Sequence, residues 1–270
     1  MTDPHVIDSP ALPNLRDPGD WPTADGGRLR RGIVYRSAAP SAPAVATDPA
    51  VAALGLTAVI DMRTAYEAGK DPDRLPAGAR LVTLDVLGGD ATSAAAAPAR
   101  LEQSVAGGSE AFAGALAQLD TDVMMRSTYR SLVSSESALE GYARFVRTVL
   151  DADGAPVLYH CTAGKDRTGW ATALLMTAVG ATPDAVRQEY LAVRPAVTAL
   201  YAPMLDQVRA AGIDPAPLRG LVDVDPSYLA AAFDQVDTEF GGFPGYLRDG
   251  LGLDGADLAA LRGLLVAPGS

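Results

Sequence analysis

The chain has 270 residues, of which 48% are apolar and 20% are charged, and it carries a formal net charge of −11. This composition is sufficient for a large hydrophobic core, and the negative charge argues against nucleic acid or an anionic membrane surface as a standing partner. The single cysteine excludes an internal disulfide, and no apolar run reaches the roughly 18 residues of a membrane span. Because the chain begins without a basic segment followed by an apolar one, we expect a cytoplasmic protein with no stable membrane insertion.

The first half of the chain alternates predicted strands and helices. Residues 1–32 are rich in Pro, Gly and Asp and are expected to form an extended arm on the domain. Three short apolar runs predict buried strands, at 33–35, 57–61 and 81–86. A cap, an early proline and a closing glycine predict a helix over 47–54. The segment 88–119 is biased toward Gly, Ala and Ser, which predicts a flexible surface excursion.

The second half is predominantly helical in pattern. Apolar side chains three or four positions apart predict an amphipathic helix over 137–150. Capping residues, early prolines and closing glycines predict four more helices, at 183–193, 197–211, 226–240 and 255–266. Strands separated by helices favour parallel pairing with right-handed crossovers. The predicted fold is therefore α/β, with a central, mostly parallel sheet of about four strands flanked by helices in a single domain over 1–270.

One strand-loop-helix unit concentrates chemically active side chains. Residues 157–159 form an apolar run typical of a buried strand, and a buried helix is predicted from Gly169 to just before Gly180. The loop between them holds Cys161, with Arg167 six positions later. A loop that turns into a helix directs several main-chain N–H groups toward one point, and a guanidinium can bind two phosphate oxygens at once. This unit predicts a site for a tetrahedral oxyanion, with Gly164 allowing the tight turn.

The cysteine in this loop is expected to be the nucleophile. A free thiol has a pKa of about 8.5, whereas cysteines at helix starts beside cations reach roughly 3.5–7.5. We therefore expect Cys161 to be a thiolate beneath a bound phosphate, and the alternative is an inert buried thiol. A nucleotide-binding Walker loop is excluded, because that pattern requires Gly where Tyr159 stands and Ser or Thr where Asp166 stands.

The ten residues from His160 to Gly169, HCTAGKDRTG, resemble the HCxxGKDRTG signature of the bacterial tyrosine/lipid phosphatases typified by mycobacterial protein tyrosine phosphatase B. The loop is also similar to that of eukaryotic phosphoinositide phosphatases, which carry Lys at the same place. Further segments match the bacterial family in order, at 14–17 with 35–37, at 61–63 followed by Glu67, and at 228–232 and 245–249. The resemblance implies a cysteine-phosphatase fold with a C-terminal helical lid, which would lie at 197–240; ordinary packing helices are the alternative for this segment.

The expected reaction is hydrolysis of phosphomonoesters through a phosphocysteine on Cys161, with phosphotyrosine as substrate, phosphoinositides as a second class and inorganic phosphate as product. Seven residues are expected to bind the phosphate, namely Thr162, Ala163, Gly164, Lys165, Asp166, Arg167 and Arg63. Lys165 is expected to direct its charge toward the mouth of the site. Thr168 is placed to donate a hydrogen bond to the departing sulfur, while His160 is expected to order the loop.

Five carboxylates remain with more than one interpretation. Asp61 and Glu67, with Arg63, are either catalytic or an ion-pair brace behind the site, and we favour the brace. The general acid that protonates the leaving oxygen is expected to be Asp85 or Asp166, with Asp90 as the alternative. The resembling family carries this acid in the loop after the strand that corresponds to 81–86, preceded by aromatic and Pro residues. This pattern is not cleanly kept here, so the sequence does not single out one Asp. No cofactor is expected and no metal, since two distant histidines and one cysteine do not form a usual zinc site.

Other functions share parts of this pattern. A phosphatase of a small metabolite or nucleotide monophosphate, or a weakly active phosphate-binding module, would use the same loop. A rhodanese-like sulfurtransferase usually has a shorter loop, and an arsenate reductase usually needs further cysteines, which this chain lacks.

Overall fold

The computed structural model describes residues 3–88 and 120–269. The described part has six strands, namely β1 (Arg28–Leu29), β2 (Val34–Ser37), β3 (Ala58–Asp61), β4 (Arg80–Thr83), β5 (Val157–His160) and β6 (Val266–Ala267). Four of them form a parallel sheet in the order β2-β5-β3-β4, while β1 and β6 form a small antiparallel pair. The prediction of an α/β fold with about four parallel strands is confirmed.

Strands β2, β3 and β5 are buried on both faces, as strands of parallel sheets usually are. The edge strand β4 differs from the expected buried strand, because Val82 alone of its four residues is buried. Successive residues of a strand point to opposite faces. Accordingly, Ala58 and Ile60 belong to one hydrophobic cluster and the intervening Val59 belongs to another. The same alternation holds in β5, where Val157 and Tyr159 lie in the first cluster and Leu158 in the second. The continuous apolar character of these runs in the sequence is therefore explained by burial on both sides.

Helices flank this sheet. The described part has helices α1 (Pro49–Ala52), α2 (Ala65–Lys70), α3 (Thr121–Ser134), α4 (Glu136–Asp151), α5 (Asp166–Ala178), α6 (Pro183–Ala192), α7 (Arg194–Ala210), α8 (Arg219–Val222), α9 (Pro226–Phe240) and α10 (Gly255–Leu265). Short helical turns occur at Pro43–Thr47, Ala216–Leu218, Phe243–Gly245 and Tyr246–Gly250. No helix of the described residues combines the length and the apolar character needed to cross a membrane.

Most predicted helices lie within three residues of their observed bounds, and three local predictions differ. The helix expected over 47–54 is split, because the Asp48 carboxylate accepts from Ala50 and Val51 and starts a separate helix, α1. The strand expected over 81–86 ends at Thr83. Helix α5 begins at Asp166, three residues earlier than expected. The excursion predicted over 88–119 lies, apart from Gly88, outside the described residues.

The N-terminal residues lie along the edge strand β2. Arg16 and Arg36 exchange two main-chain hydrogen bonds, of 2.8 and 2.9 Å, so the arm continues the hydrogen bonding of the sheet at this point. On the other side of β2, the register pairs Ser37 with His160, and His160 with Asp61. Strands β2, β5 and β3 therefore end side by side, and the loops that follow them meet at the carboxyl edge of the sheet.

Candidate active site

The loop after the central strand β5 connects it to helix α5. The loop turns at Gly164, which has a φ of +68°. A Cβ at this position would lie 2.2 Å from the carbonyl oxygen of Ser37 in the neighbouring strand. Both the backbone conformation and the close approach require glycine, so Gly164 fixes the loop against the edge of β2.

The main-chain amides of this loop have no partner among the described residues. None of the N–H groups from Ala163 to Arg167 donates a hydrogen bond to any residue that the structure describes. Cys161, which precedes them, is 2% exposed. Buried amides are almost always paired in folded proteins, and successive amides at a helix start form a concave site for an anion. The loop therefore offers an oxyanion site next to the only cysteine.

Arg167 stands in the first turn of α5 and is held by Glu67 from α2. Its two terminal nitrogens donate to the two oxygens of Glu67 at 2.7 and 2.8 Å. A third hydrogen bond, of 2.5 Å, joins the Thr162 hydroxyl to the same carboxylate. The guanidinium is thereby fixed beside the loop with 4% of its surface exposed.

The electrostatic state of this pair follows from its burial and its hydrogen bonds. Burial alone would raise the pKa of Glu67, but the hydrogen bonds and charge of Arg167 outweigh it and lower the pKa to about 2. The same contacts raise the pKa of Arg167 above its usual value against the opposing effect of burial. Both groups are therefore charged throughout the physiological range. Helix α2 begins with a capping box formed by Thr64 and Glu67, which places Glu67 one turn into the helix.

Arg63, which the sequence analysis expects to bind substrate, is held by carboxylates and a carbonyl oxygen in this structure. Its side chain is 2% exposed, and its donors contact Asp61 at 2.8 and 2.9 Å, Asp73 at 2.6 Å and the carbonyl oxygen of Asp71 at 2.9 Å. Burial alone would raise the pKa of Asp61, yet Arg63 and His160 together lower it. Asp61 and Arg63 thus form a buried ion pair, whereas Glu67, expected in the same brace, pairs with Arg167.

His160 belongs to the same buried cluster. Its Nε2 lies 3.0 Å from Asp73 Oδ2, and its Nδ1 lies 3.1 Å from the carbonyl oxygen of Cys161. A carbonyl oxygen only accepts hydrogen bonds, and the Asp73 carboxylate is paired with Arg63. Through these two contacts His160 ties the start of the loop to Asp73.

The cluster also has the composition of a cation site. One ligand atom each from Asp61, Asp73 and His160 lie within 4.8 Å of one another. However, the guanidinium of Arg63 donates to both carboxylates, and both imidazole nitrogens are engaged. Both carboxylates are thus already paired with a guanidinium, which does not fit a metal ion.

The other charged residues of the loop face the C-terminal helices. The Lys165 ammonium is buried, donates to the Asp223 carbonyl oxygen at 3.0 Å and lies 3.2 Å from Asp166 Oδ2. This differs from the expected position at the mouth, because the segment before α9 supplies an acceptor that the sequence pattern did not reveal. The other oxygen of Asp166 accepts a 3.0 Å hydrogen bond from Tyr129 of α3.

The candidate general acids have different surroundings. Asp85 Oδ1 accepts 3.0 Å hydrogen bonds from the main-chain N–H groups of Leu87 and Gly88, so this carboxylate closes a local turn. Asp90 lies outside the described residues. Thr168, expected to serve the sulfur, has a buried hydroxyl with no partner among the described residues, so its donor is free.

Two residues that contact the predicted site residues, Asp73 and Tyr129, were not predicted from the sequence. Asp73 follows α2 in a Pro- and Asp-rich stretch with no motif, although it binds both Arg63 and His160. Tyr129 lies on α3, which the sequence analysis did not predict, and it contacts Asp166 and Tyr190. These contacts join segments that are distant in sequence, so they are visible only in the folded structure.

Comparison with known proteins is consistent with this geometry. A model described as the tyrosine phosphatase family matches residues 7–267. The chain is 33% identical over 265 residues to the "Putative tyrosine-protein phosphatase" of Cupriavidus necator, covering 97% of this chain and 89% of that one. It is 32% identical over 280 residues to the "Triple specificity protein phosphatase PtpB" of Mycobacterium tuberculosis, covering 97% and 99% respectively. The chain therefore belongs to the tyrosine phosphatase family and is a phosphatase.

Proposed function

We propose that the protein hydrolyses phosphomonoesters through a covalent phosphocysteine on Cys161. The observation that carries this proposal is the run of unpartnered amides from Ala163 to Arg167 beside the only cysteine and a fixed guanidinium. An oxyanion bound there would satisfy these amides and place its phosphorus over the sulfur. The reaction class is phosphoryl transfer, in which positioning and electrostatic stabilisation account for most of the catalysis.

In the first step, the Cys161 thiolate attacks phosphorus in line with the leaving oxygen. A sulfur–phosphorus bond forms while the phosphorus–oxygen bond to the leaving group breaks, and the leaving oxygen takes a proton from a carboxylic acid. The loop amides and Arg167 stabilise the charge on the three equatorial oxygens. Removal of one such donor typically reduces the rate by about 10²–10³.

In the second step, water attacks the phosphocysteine. Inorganic phosphate leaves, the sulfur regains its electron pair, and the general acid of the first step accepts the proton of the water. The Thr168 hydroxyl, which has no other partner among the described residues, would donate to the departing sulfur. We assign the acid to Asp85 or Asp166, with Asp90 as the alternative.

Phosphotyrosine is the substrate that we propose first. Cys161 and Arg167 are 2% and 4% exposed, so the phosphate must enter on a long and narrow group, and a phenyl ring reaches deeper than the side chain of phosphoserine. Both relatives are named as protein phosphatases, one of tyrosine and one of triple specificity, which supports the choice. Phosphoinositides remain the second class to be tested.

We also propose that the segment 197–240 includes a lid over the loop, within a single phosphatase domain. Burial and the neighbouring Asp166 raise the pKa of Tyr201 on α7 well above its usual value, which supports a position of this phenol near the loop. Lys165 donates to the Asp223 carbonyl, and Arg194 donates to the Asp223 carboxylate at 2.9 Å. These contacts connect the helical segment directly to the phosphate loop.

The test is the Cys161→Ser variant assayed with p-nitrophenyl phosphate and a phosphotyrosine peptide. We expect hydrolysis to fall by at least about 10⁴-fold, because a serine hydroxyl is a far weaker nucleophile at neutral pH. Phosphate or vanadate should still bind, since the amides and Arg167 are unchanged. Hydrolysis at more than a few per cent of the unmodified rate would refute the proposed nucleophile. A phosphoserine peptide and a phosphoinositide assayed in parallel define the substrate class.

A further inference from the structure

The N-terminal arm reaches the phosphate loop through Asn14. This residue is buried and has a φ of +56°, a conformation that few residues other than glycine adopt readily. Its side-chain amide donates two hydrogen bonds, to the carbonyl oxygens of Ala163 at 3.1 Å and Gly164 at 3.2 Å. The arm therefore presents a donor to two consecutive peptide units of the loop.

The orientation of the Asn14 amide is determined by these carbonyls. Its Oδ1 is buried with no hydrogen-bond partner among the described residues. Reversing the amide would direct this oxygen at two carbonyl oxygens, which would repel it. The structure thus leaves one acceptor of Asn14 unsatisfied while both donor contacts to the loop are made.

Arg36 holds the same part of the loop from the edge strand β2. It is completely buried, and its Nη2 donates to the Gly164 carbonyl oxygen at 2.8 Å. Its other terminal nitrogen lies 3.4 Å from Glu189 of α6, a buried carboxylate that also pairs with Arg16 of the arm. Glu189 therefore holds the Arg36 side chain, which in turn holds the Gly164 carbonyl of the loop.

These contacts determine where the loop amides point. In a trans peptide unit the carbonyl oxygen and the following N–H point in opposite directions, and the described residues contain no cis peptide bond. The Ala163 and Gly164 carbonyls point toward Asn14 and Arg36. The N–H groups of Gly164 and Lys165 must consequently point away from the arm and the edge strand, and neither has an acceptor among the described residues.

We propose that Asn14 and Arg36 are positioning residues for catalysis, which hold two loop carbonyls outward so that the next two amides are preset to bind the transferring phosphoryl group. This inference rests on the proposed function. Neither residue touches the substrate, so each acts through the direction of a main-chain N–H. The close approach of Gly164 to Ser37 fixes the position of the loop, while Asn14 and Arg36 fix the rotation of its peptide units.

The test uses Asn14→Gly and Asn14→Asp in the full chain. Glycine accepts the positive φ without strain and removes the donor, while Asp keeps the shape and replaces the donor by an acceptor. Asp153→Gly is the matched control, because Asp153 also has a positive φ, of 47°, and lies exposed in the turn before β5. Each variant is assayed for kcat and KM with p-nitrophenyl phosphate, for inhibition by vanadate and for thermal unfolding.

We expect Asn14→Gly to lower kcat by about 10- to 100-fold, somewhat less than the loss of a whole oxyanion donor, because Arg36 still holds the Gly164 carbonyl. KM should change by less than about threefold, since stabilisation of the transition state is lost selectively. Vanadate, which resembles the five-coordinate transition state, should bind more weakly by a factor similar to that in kcat. Asn14→Asp should be affected more strongly, and Asp153→Gly should retain the unmodified kcat.

A purely structural role of Asn14 would give a different result. It would lower the unfolding temperature while the folded enzyme kept its kcat and its vanadate affinity within twofold, and that outcome would overturn the inference. Failure of the proposed function is recognised separately, because the unmodified chain would then show no hydrolysis sensitive to Cys161→Ser. In that case the affinity of tungstate for the unmodified chain and for Asn14→Gly, measured by calorimetry, tests the amide orientation directly; equal affinities would also overturn it.

Discussion

The pair formed by Glu67 and Arg167 allows a quantitative prediction for Glu67→Gln. The Glu67 side chain is 17% exposed, and its pKa is lowered from 4.5 to about 2. A difference of about 2.5 pKa units corresponds to about 3 kcal/mol of stabilisation when the carboxyl is ionised in both the folded and unfolded states. Because the folded pKa is the lower one, this stabilisation is complete above about pH 4.5 and is lost as the pH falls toward 2. At pH 3 less than half of it remains.

We therefore expect Glu67→Gln to lower the free energy of unfolding by about 3 kcal/mol at pH 7, and by less than half as much at pH 3. Urea denaturation of both proteins at several pH values between 7 and 3 measures the difference directly. The kcat should also fall, because an amide cannot hold both nitrogens of Arg167 by charge-assisted hydrogen bonds. A difference below 1 kcal/mol at pH 7, or one that does not change with pH, would refute the reasoning.

Two further predictions concern the loop and the general acid. Gly164→Ala should lower kcat by at least about 100-fold, since the new Cβ would lie 2.2 Å from the Ser37 carbonyl oxygen. The control is Gly55→Ala, because Gly55 has a similar φ of +63° with no atom within 4 Å of the added Cβ, and this variant should cost only about 1 kcal/mol of stability. Comparable kcat values for the two variants would contradict the steric argument. Among Asp85→Asn, Asp90→Asn and Asp166→Asn, the variant that removes the acid should slow phenyl phosphate by about 10²–10⁴-fold and p-nitrophenyl phosphate much less. Equal effects on both esters in all three variants would exclude these carboxyls.

The predictable part of this fold follows from local patterns with a direct physical cause. The strand before Cys161 is an apolar run because it is buried on both faces. Two helices after the loop, α6 and α9, are capped by Thr182 and Asp225, whose side chains accept from main-chain amides. The loop chemistry was equally local, because Cys161, Gly164 and Arg167 lie within seven residues. Each of these features depends on neighbours in sequence and is therefore visible there.

The unpredicted part depends on contacts between distant segments. Asp73 binds His160 across 87 positions, and Lys165 donates to the Asp223 carbonyl across 58. A main-chain acceptor such as Asp223 has no sequence signal at all, since every residue carries a carbonyl. The position of Glu67 in the first turn of α2 could have been predicted, because Thr64 to Glu67 is a capping-box pattern that marks the start of a helix. Its partner Arg167, a hundred residues away, could not have been derived from that pattern.

The distribution of charge around the loop explains how an acidic chain can hold a phosphate. Every buried arginine or lysine beside the loop in the described part has a carboxylate partner, namely Arg167 with Glu67, Arg63 with Asp61 and Asp73, Lys165 with Asp166, and Arg36 with Glu189. Side-chain charge is thus nearly balanced around Cys161. The uncompensated positive field comes from the main-chain amides, whose direction is fixed by peptide planarity and by the groups that hold their carbonyls. Because such dipoles act only at short range, the site selects an anion that enters the loop itself over anions that merely approach the surface.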